Sequence, residues 1–297
     1  MDIDKKSKLI FLVPATLSMM VIFLYPVVIT SVMSLFDLKT VGTPLRLWEF
    51  AGILNYVNLF DSKLFITSLV NIGKIWFICG FFTIVIALLL SLILTSDIVG
   101  KKFFRAVIYM PNIVAEIAVG YMWLLYVYNS KFGLMKTIFE FLRIPGMADY
   151  QWLSTNHIFT SMSIAYIFGS VGFYMLMYIA GIEKIPHDFY SAAKIEGASE
   201  IQCFFKITIP LIRNVISTSV VLWTTKTMGF FALSQVFGGL KTYTPMLFTY
   251  EALFGSEIST ESVSAGLAAS SAVVLTLIVV LVASIIKKIT KSEEFFL

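Results

Sequence analysis

Charge is scarce in this 297-residue sequence: 13% of residues are Asp, Glu, Lys or Arg, where a soluble domain carries roughly a quarter. With 58% hydrophobic residues and a mean hydropathy of +0.88, the composition argues against a water-soluble fold. Cysteine is nearly absent, and Cys79 and Cys203 make no disulfide framework; the two histidines, His157 and His187, offer no metal-ligand spacing. No basic stripe points to nucleic acid. No G-x-x-x-x-G-K-[ST] phosphate loop occurs, so the chain is not expected to bind or hydrolyse ATP itself. It also lacks H-E-x-x-H, G-x-S-x-G and paired intramembrane aspartates, which ranks an intramembrane enzyme last and leaves no cofactor or metal expected on this chain.

What the chain has in quantity is long apolar stretches. Six stand out, at Leu9 to Phe36, Phe65 to Thr95, Phe103 to Tyr128, Ile158 to Ile182, Leu211 to Phe237 and Val263 to Ile286. Each reaches the ~20 residues a helix needs to cross a bilayer. The expected fold class is an all-α integral membrane protein of six transmembrane helices, with one membrane domain over 9–286. The first stretch follows Lys5, Lys6 and Lys8 and is too long for a signal peptide; Pro14 and Pro26 within it predict a kink. Basic residues collect on one side, at Lys5, Lys6, Lys8, Lys101, Lys102, Arg105, Lys184, Lys194, Lys206, Arg213, Lys287, Lys288 and Lys291. The opposite side has Lys39, Arg46, Lys63, Lys131, Lys136, Arg143 and Lys241. The positive-inside rule therefore makes the N-terminus (1–8) and the C-terminus (287–297) cytoplasmic.

The longest cytoplasmic connection, 183–210, reads EKIPHDFYSAAKIEGASEIQCFFKITIP. Pro186 and Asp188 suit a helix start, and Phe189, Ala192, Ala193 and Glu196 share a helical face with two methyl-sized side chains. Gly197 interrupts it. Ser199 to Ile207 predicts a second helix with Ile201, Phe204 and Phe205 on one side, before Pro210 opens the fifth span. Two short helices hinged at a glycine form either a surface loop on the headgroups or a knob that docks into a cytoplasmic partner's groove.

YSAAKIEGASEIQCFFKITIPLI resembles the signature EAA loop of binding-protein-dependent ABC importer permeases, in which E-A-A is followed by a glycine four residues on and a closing I-x-L-P. Ala192, Ala193, Gly197, Ile207 and Pro210 match; Ser191 stands where the family usually has Glu, and Ile209 where it has Leu. Glu196, Ala198 and Phe204 complete the coupling loop this resemblance implies. Further segments resemble the sugar-type permeases of the maltose and glycerol-phosphate group, in order along nearly the whole chain: LVPATLSMMVIFLYPVVITSVMSLFD, FAGILNYVNLF, KKFFRAVIYMP, YNSKFGLMK, GGLKTYTPMLFTY and SAGLAASSAVVLTLIV. The resemblance implies the ABC importer permease fold in a bacterial cytoplasmic membrane, importing a sugar or oligosaccharide. The partners it implies are a second homologous permease, two ATPase subunits that hold ATP and Mg, and an extracytoplasmic solute-binding protein. Contact with that protein falls to the loops Val41 to Asp61, Asn129 to His157 and Gly239 to Glu261, with Gly238 to Pro245 a turn or gate.

An ionisable group near the bilayer centre costs roughly 2.5–3.5 kcal/mol on insertion scales, so Lys74, Glu116 and Lys226, all counted to mid-depth, need a reason. Either Glu116 neutralises Lys74 or Lys226, or some of the three line a polar substrate path. One positive charge left over raises the expectation of an anionic cargo. Asn71, Asn112, Trp223, Thr227 and Gln235 add hydrogen-bonding groups and an apolar stacking face. In related permeases the fifth span contributes to the sugar site, which singles out Lys226, Thr227 and Gln235. Gly169, Gly172 and Gly229 read as close-packing positions. The rival classes are an ion-gradient-driven secondary transporter, which needs no docking loop, and a membrane scaffold, which leaves the central charges without a role.

Overall fold

The computed structural model describes residues 5–96, 98–144, 146–147, 149–255 and 263–289. Lys291 and residues 256–261 of the last outer loop lie outside the described residues, as do most of the C-terminal segment and the first four residues.

Helices α1 (5–33), α2 (Leu54–Asp61), α3 (Lys63–Thr95), α4 (Lys101–Asn112), α5 (Glu116–Val127), α6 (Leu134–Phe141) and α7 (Ile158–Ile182) form the first half. The second half has α8 (His187–Ile195), α9 (Glu200–Leu211), α10 (Arg213–Met228), α11 (Ala232–Phe237), α12 (Pro245–Phe254) and α13 (Ala265–Ile289). Among the described residues, four are long and apolar enough to cross a membrane, or up to six spans if each of two bent pairs counts as one. The third span is not straight but turns by 94° between α4 and α5, which corrects the sequence reading; the chain also turns by 69° between α9 and α10, where the loop 183–210 meets the fifth span. Hydropathy cannot register a change of backbone direction inside an apolar run. The first bend follows Pro111, which lacks an N–H and disfavours helix in the residue before it. In α1 the prolines leave the helix continuous, and a π turn at Met20–Leu24 absorbs the disturbance just before Pro26.

The helices divide into two compact units. One holds residues up to 66 together with 248–278. Its organising feature is the segment FAGILNYVNLF. A two-residue ribbon pairs β1 (Phe36–Asp37) with β2 (Glu49–Phe50), and Gly52, at φ +57°, turns the chain into α2. From α2, buried Asn55 donates from Nδ2 to the carbonyls of Ser34 and Phe36, both at 2.9 Å, while Tyr56 Oη and Ser34 Oγ bond at 2.7 Å. Gly266 of α13 packs directly on the Phe36 carbonyl, and its N–H donates to Leu38 O at 3.1 Å. These carbonyls follow the end of α1, so Asn55 satisfies backbone groups that burial would otherwise leave unpaired.

The other unit spans 67–247, with the far end of α13. Here α3 lies along α7 over a core of Ile75, Cys79, Met162, Tyr166, Tyr174, Met175, Tyr178 and Trp223. Gly172 of α7 sits against the backbone of Ile108 and Tyr109, so α4 is held at a distance no Cβ would allow. Gly80 likewise leaves room for the Trp223 indole, whose Nε1 donates to Trp76 O at 2.9 Å. The turn Gly238–Pro245 is fixed from several sides. Asn71 Nδ2 donates to Leu240 O (2.8 Å) and Tyr243 O (3.0 Å), Ser234 Oγ to Thr242 O (2.7 Å), and Thr244 Oγ1 to Phe230 O (2.8 Å). Asn71 is thus a clamp on this turn, its two amide hydrogens already used.

Candidate functional site

Two sites emerge in the second unit. The first is the segment after α7. Helix α8 ends at Ile195, and Gly197 at φ +82° reverses the chain in the left-handed conformation glycine adopts without strain. Ser199 then starts α9 with a reciprocal cap: its Oγ accepts from Gln202 N–H at 3.3 Å, and Gln202 Oε1 accepts from Ser199 N–H at 2.8 Å. The two helices are tied by Tyr190 Oη with Thr208 Oγ1 (2.9 Å) and by Lys194 Nζ with Glu200 (2.8 Å). The hydrogen bond and charge of Glu200 raise the Lys194 ammonium above its ordinary pKa. At the root, Arg105 Nη2 bonds Glu183 at 2.9 Å and Leu94 O at 2.8 Å, fastening the start of the segment to α3 and α4.

A recess of about 370 Å³ lies between the two helices, lined by Ala193, Glu196, Gly197, Ala198, Gln202, Cys203, Lys206 and Ile207. Ser191 Oγ, at the position where a carboxylate was expected by resemblance, turns back to His187 O at 3.2 Å. Ala192 is exposed. The expected apolar face of α9 differs from the sequence reading: Ile201 and Phe205 are exposed, whereas Phe204 is buried with Cys203 and Thr208. Adjacent helical residues stand about 100° apart, so Phe204 and Phe205 take different sides, and a π turn at Phe204–Thr208 begins at this point. Pro210 lies in the last turn of α9, and the break follows at Ile212, so the proline closes the segment and does not open the next span.

The second site is a cavity of about 210 Å³ walled by α4, α5, α7, α10 and α11. Glu116 stands in the first turn of α5 and Lys226 in the last turn of α10, each where the helix end favours its charge. Lys226 Nζ lies 3.4 Å from Glu116 Oε1, donates to Ser170 Oγ at 3.2 Å and sits 5.5 Å from the centre of the Tyr166 ring. The choice left open for Glu116 thus resolves to Lys226. Glu116 opens α5 just after the 94° bend, so a depth counted along a straight third span does not apply to it, whereas Lys226 lies in α10, which runs unbroken from Arg213 to Met228.

The remaining candidates scatter. Asn112 lines the cavity while its Nδ2 donates to Gly169 O at 3.2 Å. Lys74 is exposed on α3, does not line the cavity, and makes no ion pair among the described residues. Trp223 offers no stacking face, since it is 1% exposed and locked by Trp76 and Gly80. Thr227 is fully buried, and Gln235 is exposed outside the cavity. The sequence reading missed Tyr166 and Ser170, and took Gly169 for a packing glycine; a Cβ at Gly169 would meet nothing within 4 Å, and the residue fronts the cavity. Gly172 does serve close packing. The available signal was the i, i+3, i+4 spacing of Tyr166, Gly169 and Ser170, which puts them on one helix face.

A family model described as "Binding-protein-dependent transport system inner membrane component" matches residues 83–291. The chain is 27% identical over 288 residues to the "Probable starch degradation products transport system permease protein AmyD" of Thermoanaerobacterium thermosulfurigenes, covering 96% of this chain and 94% of that one. It is 30% identical to the "Trehalose/maltose transport system permease protein MalF" of Thermococcus litoralis, over 64% of this chain and 63% of the relative. The fold matches a chain of a bacterial ABC transporter involved in import of the acidic polysaccharide alginate with a TM-score of 0.79 at 17% identity, covering 97% of this chain and 96% of that one.

Proposed function

This chain belongs to the family of binding-protein-dependent transport system inner membrane components, and on that premise we propose that it carries a sugar or oligosaccharide into the cell on energy from separate ATPase subunits. It is a multi-pass inner-membrane permease subunit, a transport component and not an enzyme. The observation that carries the proposal is the hinged pair α8–α9, two short helices locked to each other, with Ile195, Ile201 and Phe205 turned outward. A rigid knob with exposed apolar side chains suits docking into a groove of a cytoplasmic partner. Ser191, Ala192, Ala193, Glu196, Gly197, Ala198, Phe204, Ile207 and Pro210 form or support that coupling segment. ATP and Mg belong to the ATPase subunits. A second permease completes the pathway, and an extracytoplasmic binding protein delivers the cargo. The names of the relatives support the sugar class. Of the cargo-path candidates, Asn112, Glu116 and Lys226 remain, because they alone line the cavity.

Co-purification tests this reading. The native chain should capture its ATPase subunit and a Gly197→Trp variant should not, because the indole adds bulk at the open hinge on top of the strain any side chain meets at φ +82°. A native chain that captures no ATPase refutes it.

An acidic cargo is a second reading, supported by the alginate importer's shared fold and by a cavity lysine that can meet an acid group on leaving Glu116. Lys226→Met should then depress uptake of a uronate oligosaccharide more than of a neutral one. Equal effects on both would sink it.

A further inference from the structure

Of Lys74, Glu116 and Lys226, only Lys74 is left out of the cavity. It is the last of the 12 residues Lys63–Lys74 that open α3, a helix of 33 residues. At 1.5 Å per residue its backbone lies about 16 Å from one end of α3 and about 31 Å from the other. The side chain is exposed and has no hydrogen bond or ion pair among the described residues. An ammonium on the outward face of a spanning helix is unfavourable in hydrocarbon unless it meets an opposite charge or reaches the headgroups.

The surroundings of Lys74 favour a protein neighbour. Ile72, Ile75 and Cys79 turn the other side of α3 into the core, while Val70, Phe77 and Phe81 stay exposed along with Lys74, each about one helical turn from the next. Beside Lys74, Gly73 is exposed, and nothing lies within 4 Å of where its Cβ would be. Glycine is a poor helix former, and within this chain Gly73 gains no close approach in exchange. On an outward apolar face, a glycine admits the backbone of another helix. The apolar ridges, the notch and the cation together describe a seat for a spanning helix that carries a carboxylate. Within the six apolar stretches Glu116 is the only carboxylate, and Lys226 holds it. A second copy of this chain therefore has no free carboxylate to offer.

We propose that this face of α3 seats a span of the second permease subunit, a chain different from this one, and that an Asp or Glu of that span pairs with Lys74. The proposal rests on the two-permease reading above. Gly73 sets how closely the two spans approach. Lys74 sets which partner fits, because a span with a like charge or none opposite it leaves the ammonium unpaired.

The test is made on the complex of this chain with the second permease and the ATPase subunits in lipid nanodiscs. A membrane-permeant carbodiimide joins a carboxylate to a lysine amine in contact with it, and peptide mass spectrometry locates the link. Lys74 should be joined to an Asp or Glu in a span of the second permease, with the link between Glu116 and Lys226, 3.4 Å apart, as the internal control. Lys74→Glu should reduce the second permease recovered with this chain roughly tenfold, since like charges across an interface repel, while Lys74→Arg should retain it within about twofold. Gly73→Leu should reduce that recovery several-fold with this chain's own membrane level unchanged, because its Cβ meets nothing within the chain. The control link without a Lys74 link, together with full recovery in Lys74→Glu, overturns the proposal and leaves the lysine reaching for headgroups. A link from Lys74 to another copy of this chain overturns it as well. A native chain that binds the ATPase subunits but recovers no second permease overturns the two-permease reading itself, an outcome distinct from failure at Lys74.

Discussion

Replacing Glu116 and Lys226 singly and together measures whether the ion pair at the cavity is an energetic unit. Their 3.4 Å separation and their exposures of 30% and 45% place the pair between two regimes. Exposed pairs contribute about 0.2–1 kcal/mol, and breaking a fully buried pair costs about 3–5 kcal/mol. With Glu116 more than a third exposed, screening brings the expected coupling to about 1 kcal/mol. Each charge also sits at the helix end that favours it, worth about 0.3–1 kcal/mol independently of the partner. Glu116→Gln alone should therefore cost about 1.5 kcal/mol, and the double variant with Lys226→Met should be about 1 kcal/mol more stable than the two single losses summed. Thermal unfolding of the four proteins in one detergent reads this, at roughly 2–4 °C per kcal/mol for a chain of this size. Additivity within about 0.3 kcal/mol would refute the coupling and show that the contact is incidental.

Other positions give sharper structural outcomes. Asn55→Leu keeps the branching but strips two donors from the carbonyls of Ser34 and Phe36, at about 1–3 kcal/mol for each carbonyl left dry, and should lower the melting temperature by several degrees. Gly172→Val drives a side chain into the Ile108 backbone, so poor membrane yield is expected, whereas Gly169→Val at the neighbouring turn should express normally. Gly197→Ala meets no neighbour and carries only the strain of φ +82°, about 1–2 kcal/mol; it should weaken ATPase capture less than Gly197→Trp in a quantitative pull-down.

Much of the architecture was legible where one physical signal dominated. The six apolar runs, the glycine hinge at 197 and the helix that begins at Ser199 follow from local sequence, because hydropathy, glycine's backbone freedom and helical periodicity are local effects. The bend inside the third run was not read, although Pro111 marked it, because a 94° turn within an apolar run costs nothing in hydropathy. Phe204 was misassigned because Ile201 and Phe205, four residues apart, share a side of the helix that leaves Phe204 turned towards the buried side. Pairing of Glu116 with Lys226 rather than Lys74 depends on which helices meet, as does the locking of Trp223 behind Gly80. No spacing in the sequence encodes such contacts.

The central claim is that this permease moves a sugar on energy supplied by docked ATPases, and energised uptake tests it most directly. In proteoliposomes containing the full complex, maltotriose uptake should require ATP and loaded binding protein and should survive ionophores that collapse every ion gradient. Uptake that runs without ATP and stops when the gradients are collapsed would contradict the account and make the chain a secondary transporter.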